Sequence, residues 1–231
     1  MTHTIAVLNQ KGGAGKTTVA TNLAHALARS GHATLLVDAD PQGSLRDWNA
    51  INSGELLPVV GLDRDSLAKD LQHVSADYDF VVIDGAPQIA KLSVAAVKAA
   101  DLVLIPVTPG PYDVWACADL VEILEARRDV TGGRPDAAFL VNRAVRNTKL
   151  SVEIVTALNA YAIPILNAHT THRVIYPTAA ATGGTVFTHD PDGPAAREIE
   201  AIQHELMEEF FNDDTDTQTA PTRLRPEACR A

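Results

Sequence analysis

Residues 9–18 read NQKGGAGKTT, a glycine-rich stretch that carries two lysines, Lys11 and Lys16, on either side of its turn. The apolar run TIAVLN precedes it, and from Gly15 to Arg29 apolar residues recur at three- and four-residue spacing. Strand, glycine loop and helix in that order make a phosphate cradle, because backbone N–H groups and the helix N-terminus face anionic oxygens. Lys16 then reaches the β- and γ-phosphates and the Thr17 hydroxyl binds magnesium. The loop departs from the usual pattern, which asks for glycine where Gln10 stands, and places Lys11, Gly12 and Gly13 inside the turn. One lysine is enough to hold a phosphate, so Lys11 needs a task of its own.

Working outward, short apolar runs alternate with helix-like segments. ATLLVDAD, LPVVGL, DFVVIDGA, DLVLIPVT and AAFLVN read as strands buried on both faces, and residues 65–73, 89–99 and 114–129 show helical spacing. Such alternation requires right-handed crossovers. The predicted fold is a single-domain α/β P-loop NTPase over residues 1–211, a mostly parallel twisted sheet with helices on both faces and ligands at the carboxyl ends of its strands. After Asn142 a helix is predicted from near Leu150 to about Ala160, then a short strand IPIL, a polar loop THRVIYPT, and a last helix in AAREIEAIQHELMEEFF with Pro194 near its start. Residues 212–231 are polar and threonine-rich, the composition of a disordered tail. Trp115 is expected in the core.

With 231 residues and 46% hydrophobic residues, the chain can bury the core of one such domain. A net charge of -10 excludes a surface that is basic all over, so any nucleic-acid contact must be a local patch. The two cysteines, Cys117 and Cys229, lack metal-ligand spacing, which suits a reduced cytoplasmic protein. The first residues enter an apolar strand without a signal-peptide pattern, and no apolar run has the length of a membrane span, so a secreted or membrane-embedded chain is not expected.

Two further segments carry nucleotide chemistry. In LLVDADPQG, Asp38 and Asp40 stand at a strand end, where one carboxylate can organise magnesium waters and the other orient an attacking water. In DFVVIDGAP, Asp84 ends another strand, the place for a carboxylate that holds magnesium through its water shell. Any one of the three could instead cap a following helix. Beside the phosphate loop, all three together favour a magnesium nucleotide site.

KGGAGKT, VDADPQG and YDFVVIDGAP resemble the deviant Walker ATPases of the ParA/MinD family, and LIPVTPGPYDVWA with FLVNRAV resembles its small ParF-type partition proteins. The resemblance covers residues 4–211. It implies ATP and Mg2+ as cofactors and a homodimer closed around ATP, in which Lys11 reaches across to the partner's phosphates. Such a charge supplied in trans is worth a rate factor of roughly 10³ to 10⁵ in well-understood NTPases. By position, Asp40 is the water-orienting residue, Asp38 lies nearer magnesium, Asp84 is the Walker B carboxylate, and Asn142 contacts adenine. The loop set is Lys11, Gly12, Gly13, Ala14, Gly15, Lys16, Thr17 and Thr18. Residues 105–111, IPVTPGP, are either a rigid turn or a segment near nucleotide and dimer surface.

Relatives bind DNA without sequence preference in their ATP form, so a nucleoid-associated state and a small adaptor or centromere-binding protein are implied. The available basic cluster is Arg143, Arg146, Lys149 and Arg173, which either contacts phosphates or solvates a loop. The resemblance makes a plasmid the first cargo, with a chemoreceptor cluster or carboxysome as alternatives. A dethiobiotin-synthetase-like enzyme on the same fold is the reading from another class. The cysteine pattern disfavours a nitrogenase-type iron protein, and the polar C-terminus lacks the basic amphipathic helix of a membrane-bound MinD.

Overall fold

The first strand, β1 (His3–Val7), lies between two strands that come much later in the chain, β4 (Phe80–Asp84) and β5 (Leu102–Val107). β2 (Thr34–Asp38), β3 (Val59–Gly61) and β6 (Asp136–Val141) complete a sheet of order β3-β2-β4-β1-β5-β6 among the described residues, and every pairing is parallel. The computed structural model describes residues 1–87, 90–145 and 149–212.

Parallel strands need crossovers, which helices before β6 supply, and further helices follow β6. The helices are α1 (Lys16–Arg29), α2 (Ser44–Ile51), α3 (Leu67–Val74), α4 (Ala90–Ala99), α5 (Pro111–Trp115), α6 (Ala118–Thr131), α7 (Lys149–Leu158), α8 (Ile175–Ala181), α9 (Val186–His189) and α10 (Pro194–Leu206). Side chains alternate across the sheet with period two. Ile5, Val7, Leu36, Val82 and Leu104 face α1 and α10, meeting Leu23, Leu27, Ile199 and Ile202. Ala6, Leu35, Val37, Ile83 and Ile105 face the opposite layer, meeting Leu67, Leu71, Leu120, Leu124 and Leu158. Each large side chain so buried contributes about 1.5–3 kcal/mol.

This register positions the site. Asp84 pairs with Val7 on one side and with Asp38 on the other, so the ends of β1, β4 and β2 stop level with one another. The loop after β1 and both strand-end carboxylates therefore meet at one edge of the sheet.

Several sequence expectations differ from the fold. IPIL makes a single bridge, Ile165 to Phe139, rather than a strand, because Pro164 has no N–H to donate and only its carbonyl is used, by Phe139 N at 2.8 Å. The helix expected over 114–129 is two helices, since Cys117 N bonds back only three residues to Val114 and tightens the chain. The loop THRVIYPT contains the start of α8, and α2 was not expected at all. Trp115 is 66% exposed, not core, and packs edge-on against Tyr112 with centroids 5.4 Å apart. The tail expected over 212–231 lies outside the described residues beyond Asn212.

Candidate nucleotide-binding site

The loop between β1 and α1 is shaped by backbone demands that only some residues meet. Gly13 (φ +80) and Gly15 (φ +91) are left-handed, and a side chain on Gly15 would run into the Asn142 amide. Around Gly12 and Gly13 the space is open, as a cradle for phosphates must be. Asn9, buried under the loop, accepts from Lys11 N at 2.8 Å and donates to the Pro106 carbonyl at 2.8 Å. Asn142 braces the other side, donating to the Ala14 carbonyl at 2.7 Å and accepting from Thr170 Oγ1 at 2.5 Å. Asn142, the residue expected at adenine, thus has partners for both its amide oxygen and its amide nitrogen.

Lys16, the first residue of α1, is buried, and its Nζ donates to the Lys11 carbonyl at 3.3 Å. Burial lowers its pKa, while the Asp84 and Asp40 charges pull it back up. Asp84 is buried too, and burial pushes its carboxyl up to about 7. Asp38 and Asp40 add to that rise, against a hydrogen bond from Thr17 and the Lys16 charge. Its Oδ1 has no hydrogen-bond partner among the described residues. A buried carboxylate oxygen without a partner, beside a hydroxyl and amid excess negative charge, fits a divalent cation. Thr17 and Asp84 are the residues that would hold it.

Asp38, expected nearer magnesium, is engaged with its own loop. It is fully buried, its Oδ1 accepts from Asp40 N at 3.0 Å, and its Oδ2 accepts from Arg46 N at 2.9 Å and Arg46 Nε at 3.2 Å. The carboxylate thus anchors the following loop, while its charge also acts on Asp84. Asp40, partly exposed, holds its Oδ1 against Gln42 N at 3.0 Å.

Lys11 projects to the other rim of the loop and pairs with Asp113 of α5, Nζ to Oδ1 at 2.7 Å; the Thr108 hydroxyl donates to the same oxygen at 2.5 Å. The proline-containing segment before α5 is therefore part of the site. Arg46, Asp113 and Asn9 were not singled out by sequence reasoning. An acidic residue within a proline-rich turn and a basic residue just past DPQGS were the available signals.

Of the four basic residues expected to form a patch, Arg143 and Arg173 have described side chains. Arg143 turns toward the phosphate loop, Nη1 donating to the Gly13 carbonyl at 3.2 Å. Arg173 pairs with Glu198, with Nε and Nη2 at 3.0 and 2.8 Å from Oε1. Arg146 lies outside the described residues, and Lys149 begins α7.

Residues 5–186 match the family model of the CobQ/CobB/MinD/ParA nucleotide binding domain. The chain is 33% identical to a maintenance of carboxysome distribution protein A from Halothiobacillus neapolitanus over 88% of its length and 96% of that protein's. It is 30% identical to the chromosome-partitioning ATPase Soj of Thermus thermophilus, covering 88% of this chain and 94% of Soj. Among solved structures, apo McdA from Cyanothece superposes with a TM-score of 0.75 at 19% identity, over 89% of this chain and all of that one, a likeness of fold. With a family match over most of its length and a glycine loop, buried lysine and strand-end carboxylates in place, the chain belongs to the CobQ/CobB/MinD/ParA family of P-loop nucleotide-binding domains.

Proposed function

We propose that the chain is a magnesium-dependent ATPase of the ParA/MinD type that closes into a dimer around ATP and distributes an intracellular cargo. The observation that carries this reading is the partnerless buried oxygen of Asp84 beside Lys16 and Thr17, with a second lysine on the rim of the same loop. The loop amides and Lys16 bind the β- and γ-phosphates. Thr17 and Asp84 would hold the magnesium ion, which would supply positive charge to neutralise that developing on the phosphates. Asp40 accepts a proton from a water and aims it in line with the γ-phosphate. Lys11 leaves Asp113 and meets the partner's ATP.

The relatives support a positioning role, and the higher identity to a carboxysome distribution protein favours a protein body over a plasmid as cargo. DNA binding in the ATP state, a nucleoid-associated location and a small adaptor belong to the same proposal. For DNA the candidates are Arg143, Arg146, Lys149 and Arg173, of which Arg173 is also paired with Glu198. Among the described residues no helix is long and apolar enough to cross a membrane. The test is phosphate release together with sedimentation and duplex-DNA binding, each with ATP, ADP or no nucleotide. Turnover with ATP-dependent dimers on DNA supports the reading, and a chain that stays monomeric with ATP overturns it. Labelling shell proteins beside a fluorescent fusion then separates a carboxysome-like cargo from a plasmid.

A further inference from the structure

Arg46 sits in the first turns of α2, and its side chain folds back beneath the loop that carries Asp40. The fork makes three contacts at once: Nε to Asp38 Oδ2 at 3.2 Å, Nη2 to the Asp40 carbonyl at 2.9 Å and Nη2 to Asp63 Oδ2 at 3.1 Å. Its backbone N–H gives Asp38 Oδ2 a further bond at 2.9 Å. Asp38 Oδ1 in turn accepts from Asp40 N at 3.0 Å. Asp40 is thereby held at both ends of its own residue, its N–H by Asp38 and its C=O by Arg46 together with Gly43 N at 2.9 Å. A Cβ on Gly43 or on Gly61 would come within 3.3 Å of the Arg46 side chain, so the fork fills a slot between two glycine backbones.

We propose that Arg46 is a positioning residue for Asp40, fixing the backbone from which that carboxylate aims the attacking water. The assignment rests on the ATPase reading above. Two tasks of Arg46 can be told apart by chemistry. Neutralising buried Asp38 needs only a nearby positive charge, which a lysine could also supply. Holding Asp38, the Asp40 carbonyl and Asp63 together needs a planar fork with several donors in fixed directions, which a lysine lacks.

Arg46→Lys therefore keeps the counter-charge and loses the clamp. Because small misplacements of a reacting group are costly, kcat should fall by about tenfold to a hundredfold. KM and the affinity for a fluorescent ATP analogue should stay within about twofold, since the phosphate loop is untouched. In an Asp40→Ala background the same change should alter the residual rate hardly at all, because nothing is left to position. Asp63→Asn, which loosens only the outer arm of the fork, should lower kcat in the same direction by less and serves if the lysine variant folds poorly. Parental kcat in both variants overturns the proposal. So does an equal fractional loss with and without Asp40, or a parallel loss of nucleotide affinity, since either marks a purely structural role. Failure of the ATPase reading looks different: the parent itself would not turn over ATP, or Asp40→Ala would match it.

Discussion

Lys11 Nζ lies 2.7 Å from Asp113 Oδ1, so in the single chain the outer lysine of the phosphate loop is held by a carboxylate of its own subunit. If Lys11 acts on a partner's ATP, this pair competes with dimerisation. Lys11 is 39% exposed, so the pair is worth only about 0.2–1 kcal/mol. A two-fold dimer breaks two such pairs, so Asp113→Asn should move ATP-dependent dimerisation to lower protein concentration by up to about thirtyfold. Lys11→Ala should retain ATP binding through Lys16 and lose both dimerisation and turnover. Light scattering with ATP and magnesium reads both. A Lys11→Ala chain that dimerises like the parent would remove any action in trans.

Lys16→Ala should abolish ATP binding, because the loop amides cannot replace a charge-assisted contact to the phosphates. Titration with a fluorescent ATP analogue measures it. Tight binding by this variant would place the nucleotide elsewhere.

Arg173 should betray itself in stability more than in DNA affinity. Glu198 accepts from Arg173, from Thr171 Oγ1 at 2.7 Å and from Tyr176 at 3.1 Å; burial would raise its pKa, but Arg173 and Thr171 outweigh that and lower it. Arg173→Ala should cost about 2 kcal/mol in chemical denaturation by removing charged hydrogen bonds. Lys149→Ala, by contrast, should flatten the salt slope of DNA binding by about 0.9 if it meets a phosphate. A slope changed by Arg173 and not by Lys149 would reverse these roles.

His25 makes the stability pH-dependent. Its Nδ1 lies 2.5 Å from Thr185 Oγ1, and burial, with the Arg29 charge, lowers its pKa from 6.5 to about 4. Between those values the unfolded chain binds more protons, so stability rises with pH across the window and is lost on acidification, by about 1–3 kcal/mol. Asp84 acts in the opposite sense: its folded pKa of about 7 exceeds the unfolded 3.8, so the nucleotide-free chain loses stability as pH rises between them. Comparing His25→Gln with the parent isolates the first effect. The variant should lose less stability than the parent from pH 7 to 4, and identical profiles would contradict it.

The sheet was legible because strands such as FVVID are apolar on both faces, which only central parallel strands require. The phosphate loop was legible because its chemistry is local in sequence. α2 escaped notice because its buried residues are only Leu45 and Trp48, too few for a periodic signal. α8 was hidden by Pro177, tolerated there because it falls in the first turn. The supports of the site were illegible for another reason. Asn142 meets Ala14 from 128 residues away, and no pattern within a window reports such a partner. Trp115 shows the converse: an aromatic residue reads as core until the fold leaves its helix uncovered on that side.

The sheet order also governs how the chain comes off the ribosome. β1 and β2 emerge first but never touch, because β4 lies between them, and β1 gains its second neighbour only with β5. Until residue 84 has been made, β1 has no completed strand to pair with; β2 and β3 can already join. Loop-closure entropy must be met over these separations before sheet contacts reward it. The glycine loop after β1 thus acquires its shape late, and nascent chains stopped before β4 should present β1 and α1 to proteases as unfolded polypeptide.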